Sequence, residues 1–391
     1  MITRLQHLSM PSDFKIHTIE AYANLNLQYN TVKIYETYGN LNPGHEVLGT
    51  GRTQRGLPKI SDSNLKEYIE ESALKGIKFN YTFNARCTSN MEFGLKGQNE
   101  ILRHVEHLIS LGVNQMTVVV PPVLQLIRNH FPDMYLCASV IANIRSVRQA
   151  SLFKSMGADR LILSEDINRD FKLLEQIRKW CKLPLEIIVN TRCLYQCAFR
   201  NSDYNYLSHC GNSAKSLPIY DYYKWLCSQY LFANPIEFYK MRWVRPEDLN
   251  HYPYVSFFKV IGRQLVHEAD LPRAAEAYMK GSFDGNLLDL LGVFAPSRKR
   301  FYPIDIDNNN LKDFINFFLE FKCMEKTCTN CDHCNAYIKR IPNEVLAALN
   351  SQREQFASYL GDFANNKPTK TMDVIDIAAI TMGSCSPRNY L

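Results

Sequence analysis

Gln115-Met-Thr-Val-Val-Val-Pro-Pro-Val-Leu-Gln-Leu-Ile-Arg-Asn-His130, followed by Tyr135-Leu-Cys-Ala-Ser-Val140, contains the unit from which the chain is built. Gln115–Val120 is short and rich in β-branched residues, as a buried strand is. Pro121 and Pro122 fall where a strand ends and a helix starts, a place where a missing N–H is tolerated. Apolar residues then recur at three- and four-residue spacing, which predicts a helix over Pro122–His130. Tyr135–Val140 predicts the next strand.

Working outward, the same alternation recurs along the chain. Strand-like runs are Thr31–Glu36, Ile77–Phe83, Gln115–Val120, Tyr135–Val140, Arg160–Leu163, Leu185–Asn190, Phe238–Trp243 and Ser256–Val260. Helical patterns between them cover Asn64–Lys75, Gln98–Leu111, Pro122–His130, Ile144–Met156, Arg169–Lys182 and Tyr220–Phe232. Gly76, Gly112 and Gly157 each close a helix just before a strand, the position that favours a residue able to turn left-handed. Strands alternating with helices imply parallel pairing through crossovers. Eight of them favour a closed (β/α)8 TIM-type barrel in the α/β class. An open Rossmann-like sheet is the alternative, but no Gly-rich dinucleotide turn follows any strand. The predicted barrel covers residues 1–300. A C-terminal extension, 301–391, carries helix candidates Leu311–Phe321 and Asn343–Phe363 around a cysteine group and ends in a polar tail after Asn366.

Composition agrees with a single large core: 391 residues, 46% hydrophobic and 21% charged. The longest apolar runs, such as Met116–Val123, fall far short of the about 20 residues of a membrane span. Met1–Lys15 has no apolar segment of the secretory kind, so a cytoplasmic location is expected. The net charge of +6 is mild and the one basic block is Ser297-Arg-Lys-Arg300, well below the usual nucleic-acid-binding signature.

Active sites of such barrels form at the C-terminal ends of the strands. Those ends supply Glu36 and Tyr38; Asn84, Arg86 and Cys87; Ser139 and Asn143; Ser164 and Glu165; Asn190, Arg192 and Cys193; Arg242 and Arg245; and Lys259, Gly262 and Arg263. Asn84, Arg86, Asn190, Arg192, Arg242, Lys259 and Arg263 are therefore candidate substrate-binding residues. A face with several guanidiniums and few carboxylates suits an anion. The competing reading is that some of these cations pair with Glu36 or Glu165 and only hold loops.

Twelve cysteines are many for a chain in a compartment that disfavours disulfides. Cys137 and Cys181 read as small core hydrophobes. Cys193, Cys197 and Cys210 form one group after the sixth strand. Thiolates this close can reach one centre at about 2.3 Å from each sulfur. An iron–sulfur cluster wants four ligands, and the candidates for the fourth are Cys87 and Cys227, with His209 as a substitute. Cys323-x4-Cys328-x2-Cys331-x2-Cys334 is the strongest local signal. It has the spacing of ferredoxin-type [4Fe–4S] runs, with zinc as the alternative.

Several stretches resemble the peptidase U32 family, the group once called collagenase-like peptidases. Arg245-Pro-Glu-Asp-Leu249 followed by Phe258-Lys-Val-Ile-Gly-Arg263 is similar to that family's "DL … K-I-x-G-R" segment. Phe79–Asn84 resembles its early strand ending in Asn, and Ala158–Glu165 its "G-A-x-R-x-x-L-S-R-E" segment. Glu186–Cys193 sits where the family has "E-x-F-x-x-G-x-x-C". These patches follow the family's order through about residues 31–290. Departures are the missing glycine before Cys193, a shorter Glu-to-Cys interval, no arginine between Ser164 and Glu165, and Asn250 in place of a cysteine. The resemblance implies a barrel with a cysteine-ligated [4Fe–4S] cluster, onto which Cys193, Cys197 and Cys210 map. Well-understood relatives resemble oxygen-independent hydroxylases of quinone precursors, tRNA or rRNA.

Three functions follow as expectations. The first is an iron–sulfur redox or modification enzyme with one or two clusters, acting on an anionic small molecule, an RNA base or a peptide, together with an electron donor or partner protein. The second is a U32-type peptidase, although no Ser-His-Asp spacing and no His-Glu-x-x-His helix is present. The third is a noncatalytic metal-binding accessory subunit.

Overall fold

The computed structural model describes residues 5–40, 51, 58–209, 222–297, 304–323, 328–338 and 343–365. Eight parallel strands close into a barrel in chain order, the eighth pairing back to the first. They are β1 (Gln6–Pro11), β2 (Val32–Gly39), β3 (Lys78–Phe83), β4 (Gln115–Val118), β5 (Tyr135–Ala138), β6 (Arg160–Ile162), β7 (Leu185–Ile188) and β8 (Phe257–Lys259). Helices α1 (Ile16–Gln28), α2 (Asp62–Leu74), α3 (Leu95–Ser110), α4 (Pro121–His130), α5 (Val147–Ser155) and α6 (Phe171–Cys181) follow the first six strands in turn. The (β/α)8 expectation holds. Gly76, Gly112 and Gly157 adopt φ of 72°, 98° and 101°, the left-handed turn read from the sequence.

Two strand assignments differ from the sequence reading. Phe238–Trp243 is not a strand: after β7 come α7 (Arg200–His209), α8 (Tyr222–Ala233) and the short α9 (Glu237–Lys240), which absorbs half of that run. Asn234 and Pro235 start the turn, accepting hydrogen bonds from the Glu237 and Phe238 N–H groups. The aromatics are buried instead against the C-terminal segment, where Trp243 stacks on Phe314 at 5.1 Å. Aromatic content signals a strand only because it fits a half-buried surface, and here another surface serves. The strand that completes the barrel is β1, whose Gln-His-Leu-Ser-Met-Pro sequence has no β-branched residue to announce it.

The extension differs as well. Leu311–Phe321 is no continuous helix but a 3₁₀ turn, Asn308–Leu311, and a four-residue helix, Asn316–Leu319. The long helix Asn343–Ala364 does form, and it packs on α8 through Phe356 against Phe232 and Phe363 against Tyr222. Cys210, Arg298–Arg300 and the tail after Asn366 lie outside the described residues, as do the first two residues of the expected Tyr220–Phe232 helix. No helix among the described residues is long and apolar enough to cross a membrane.

TIM barrels usually fill their interior with branched apolar side chains. Here one connected polar network takes a residue from every strand. Arg160 on β6 is fully enclosed, donating to Glu36 of β2 at 2.7 Å and lying 3.1 Å from Glu186 of β7. Ser9 of β1 donates to Glu36 at 2.9 Å, and Lys259 of β8 to Glu186 at 3.3 Å. Thr117 of β4 donates to Asn80 of β3 at 2.7 Å; Asn80 and Arg160 both donate to the Cys137 sulfur on β5, at 3.4 and 3.1 Å. Two carboxylates face two cations, so the layer is neutral as a whole. The Arg160 guanidinium also stacks 4.2 Å from the Phe257 ring.

Removing one partner of such a pair strands the other charge away from water, so Arg160→Ala is expected to cost about 3–5 kcal/mol, measured from the urea midpoint. Burial alone would raise the Glu36 carboxyl, but Arg160 and then Lys259 bring it below its ordinary value of 4.5. Its contribution is therefore full above pH 4.5 and is lost as pH falls through the lower folded value. Acid titration of unfolding should show this loss in the native chain and a flatter slope in Glu36→Gln.

Candidate functional site

The C-terminal ends of the strands enclose a cavity of about 40 Å³, room for a few waters or one carboxylate group. Lys259 and Arg263 bring positive charge to it, with Tyr38, Thr82, Asn84 and Glu165 around them. The Lys259 ammonium lies 3.4 Å from the centre of the Tyr38 ring, and the Tyr38 hydroxyl is anchored by donating to the Val260 carbonyl at 2.8 Å. Burial lowers the Lys259 pKa, opposed by Glu186 and Glu36 beneath it. Arg263 donates to Asn40 Oδ1 at 2.6 Å and to the Thr82 hydroxyl, with Asn84 Oδ1 at 3.5 Å. The sharp turn before it is made by Gly262, with φ of 159°. A cation pair at the mouth of a low-dielectric barrel can hold a carboxylate or phosphate.

Of the seven candidate substrate residues, Asn84, Lys259 and Arg263 line this cavity. The others are placed elsewhere. Arg86 donates to the Ile141 carbonyl and to Asn201 Oδ1, tying the loop after β3 to α7. Asn190 is buried, donating to the Ile261 and Leu291 carbonyls and accepting from the Ile261 N–H, so its amide braces β7 against the chain after β8. Arg192 is half-buried in the loop beside Cys193. Arg242 is buried against the ring of Tyr195, 3.7 Å from its centre, and its two terminal nitrogens lie 3.8 and 3.7 Å from the Cys323 sulfur. The loop-holding reading applies to Glu165 and Arg245: Glu165 faces Arg200 at 3.6 Å, and Arg245 forms a two-pronged pair with Asp248.

The first thiol group lies in the loop after β7 and in α8. Cys197 and Cys227 share a hydrogen bond, and Cys193 is near enough for its charge to act on Cys227. Their shared hydrogen bond, ahead of burial, raises the Cys227 thiol and lowers that of Cys197, so of the two Cys197 ionises first. Arg200 adds positive charge facing Cys193. Of the two candidates for a fourth ligand, Cys227 shares a hydrogen bond with Cys197. Cys210 lies outside the described residues. In the second group Cys323, Cys331 and Cys334 feel one another's charge, burial lifts Cys334 to about 11, and Cys328 is exposed. Among the described residues no three His, Cys, Asp or Glu side chains converge closely enough to hold a metal ion.

The sequence model of peptidase family U32 matches residues 51–209, which hold β3 to β7 and Cys193 and Cys197. An uncharacterized protease of Methanocaldococcus jannaschii is 29% identical over 292 residues, 74% of this chain and 84% of that protein. The chain resembles peptidase family U32 over these residues. A second relative, tRNA hydroxylation protein P of Helicobacter pylori, is 23% identical over 359 residues, 86% of this chain and 78% of that one. Among solved structures, the U32 peptidase Mk0906 aligns with a TM-score of 0.48 and 14% identity, covering 67% of this chain and 95% of that one.

Three residues around the site escaped the sequence reading. Arg160 had a signal, a charge in the otherwise apolar run Arg-Leu-Ile-Leu163, where only a buried partner could explain it. Arg200 and Arg169 had none, because their partners are far away in sequence. Arg169 is fully buried at the start of α6, donating to the Tyr239 and Trp243 carbonyls at 3.0 Å each; burial, then the charge of Arg242, pulls it down to about 9.

Arg263→Ala should weaken binding of a small carboxylate or phosphate at the mouth by about 1.5–3 kcal/mol, roughly ten- to a hundredfold. Titration calorimetry with the native chain and the variant measures it. Asn190→Ala should instead lower the melting temperature, because it removes a buried brace.

Proposed function

We propose that this chain is an iron–sulfur enzyme that modifies an anionic substrate at the barrel mouth. The observation that carries it is the hydrogen bond between Cys197 and Cys227, with Cys193 near enough for its charge to act on Cys227, in the loop after β7 and in α8. Soft thiols are the ligand type such a group takes. Cys193, Cys197 and Cys227 would hold it, with Cys210 as the remaining ligand. When bound, the group supplies one-electron chemistry. The chain's own residues do the rest. Lys259 and Arg263 seat the anionic part of the substrate, Tyr38 and Asn84 orient it, and the closed barrel beneath keeps bulk water from below. The likeness to a tRNA hydroxylation protein supports an RNA base as the modified group and oxygen-independent hydroxylation as the reaction. A small molecule or peptide is the alternative substrate.

A second reading is peptide hydrolysis, favoured by the protease name of the Methanocaldococcus relative. The two separate cleanly. Anaerobically purified chain should contain iron and acid-labile sulfide, and Cys193→Ala with Cys197→Ala should lose about four irons per chain. Zinc in place of iron, or proteolysis of a casein substrate that survives both substitutions, would overturn the redox reading.

A further inference from the structure

The anion seat at the mouth makes no use of Glu165, the acidic residue among those lining the cavity. Glu165 opens the 3₁₀ turn Glu165–Ile167 after β6 and is only 3% exposed. In the closed ring β6 stands across from β2 and two places from β8. Glu165 therefore meets the cavity from a different side than Lys259 and Arg263. On the arc from β6 to β8 the lining is Ile162 and Ile188, which carry no charge.

The carboxylate of Glu165 is poorly supplied by the protein. Arg200 Nη2 lies 3.6 Å from its Oε2, a contact of charge beyond hydrogen-bond reach. That nitrogen gives its two hydrogens elsewhere, to Asp166 Oδ1 at 3.1 Å and to the Leu194 carbonyl at 3.0 Å. Arg200 Nη1 donates to Asp166 Oδ2 at 2.9 Å, so the guanidinium is committed to Asp166. Glu165 Oε2 is buried and accepts no hydrogen bond among the described residues. A buried carboxylate in that condition is costly, and a donor brought by a ligand relieves the cost.

We propose that the mouth recognises a dipolar head, a carboxylate with an ammonium group on the neighbouring carbon, as in an α-amino acid. Lys259 and Arg263 take the carboxylate and Glu165 takes the ammonium. This rests on the reading of the mouth as the substrate site and not on the iron–sulfur group. An anion alone is drawn to the two cations but also stands against Glu165. A zwitterion has no net charge, so it meets both sides without adding charge to a low-dielectric site. Its ammonium has donors and no acceptor, the complement of an unfilled carboxylate. The cavity of about 40 Å³ limits what enters to a head of a few heavy atoms and leaves the rest of the molecule outside.

Propionate, lactate and alanine share one carbon skeleton and differ in bearing hydrogen, hydroxyl or ammonium beside the carboxylate. Calorimetric titration of each into the full chain should rank alanine first, lactate second and propionate last. Alanine should bind about ten- to a hundredfold more tightly than propionate. That comparison needs only the native chain. Glu165→Gln keeps the shape of the side chain and removes its charge. It should abolish most of the advantage of alanine and, because a like charge has gone, tighten propionate. Propionate as tight as alanine, lactate tighter than alanine, or all three weakened alike by Glu165→Gln would each overturn the proposal and leave the anion seat standing. Binding of none of the three would overturn the seat and the proposal together. A purified chain that lacks iron but ranks the three acids in this order would sink the cluster and support the dipolar site.

Discussion

The Arg160 guanidinium, closed in between Glu36 and Glu186, is the constraint on which the rest of the barrel depends. A charge so deep is tolerable only if every neighbouring strand brings a compensating group to the same level. All eight strands do so, through Ser9, Glu36, Asn80, Thr117, Cys137, Arg160, Glu186 and Lys259. A one-residue slip of any strand would turn its member outward and leave a partner unpaired. The layer therefore fixes the register of the barrel as well as stabilising it.

The same layer positions the mouth. Lys259 is held from below by Glu186 and presents its ammonium to the cavity above, against the Tyr38 ring. Arg263, four residues on, is aimed by Asn40 and Thr82. Charge at the mouth is thus set by residues on four strands and the loops after β2 and β8, all of them buried. The first thiol group is assembled differently, from the loop after β7 and from α8. The C-terminal segment reaches it through Arg242, packed between Tyr195 and Cys323. Barrel, loop and extension are joined by aromatic stacking around buried cations, with Arg169 and Phe314 at the centre.

The resemblance to peptidase family U32 covers only part of this picture. The U32 match ends at residue 209, before Cys227, Lys259 and Arg263. The cationic half of the mouth and the second cysteine group are therefore argued from this chain's own residues. The relatives' names point in two directions, proteolysis and tRNA hydroxylation.

Much of the fold was legible because it depends on local regularities. Period and punctuation in stretches such as Gln115–Val140 fix strands, helices and the left-handed glycines, and parallel alternation leaves few ways to close. The cysteine groups were legible because spacing in sequence survives folding within a loop. The strand at Gln6–Pro11 and the helical turn at Glu237–Lys240 were not, since each takes its form from partners remote in sequence. By itself the sequence determined that there would be a parallel barrel with thiols and cations at its strand ends. Only the tertiary structure decided that Asn190 and Arg86 brace loops, that Cys227 shares a hydrogen bond with Cys197, and that Arg160 and Arg169 are buried. The physical reason is that a side chain's role is set by the charge and hydrogen-bonding groups that reach it through space, and those come from strands and loops tens to hundreds of positions away.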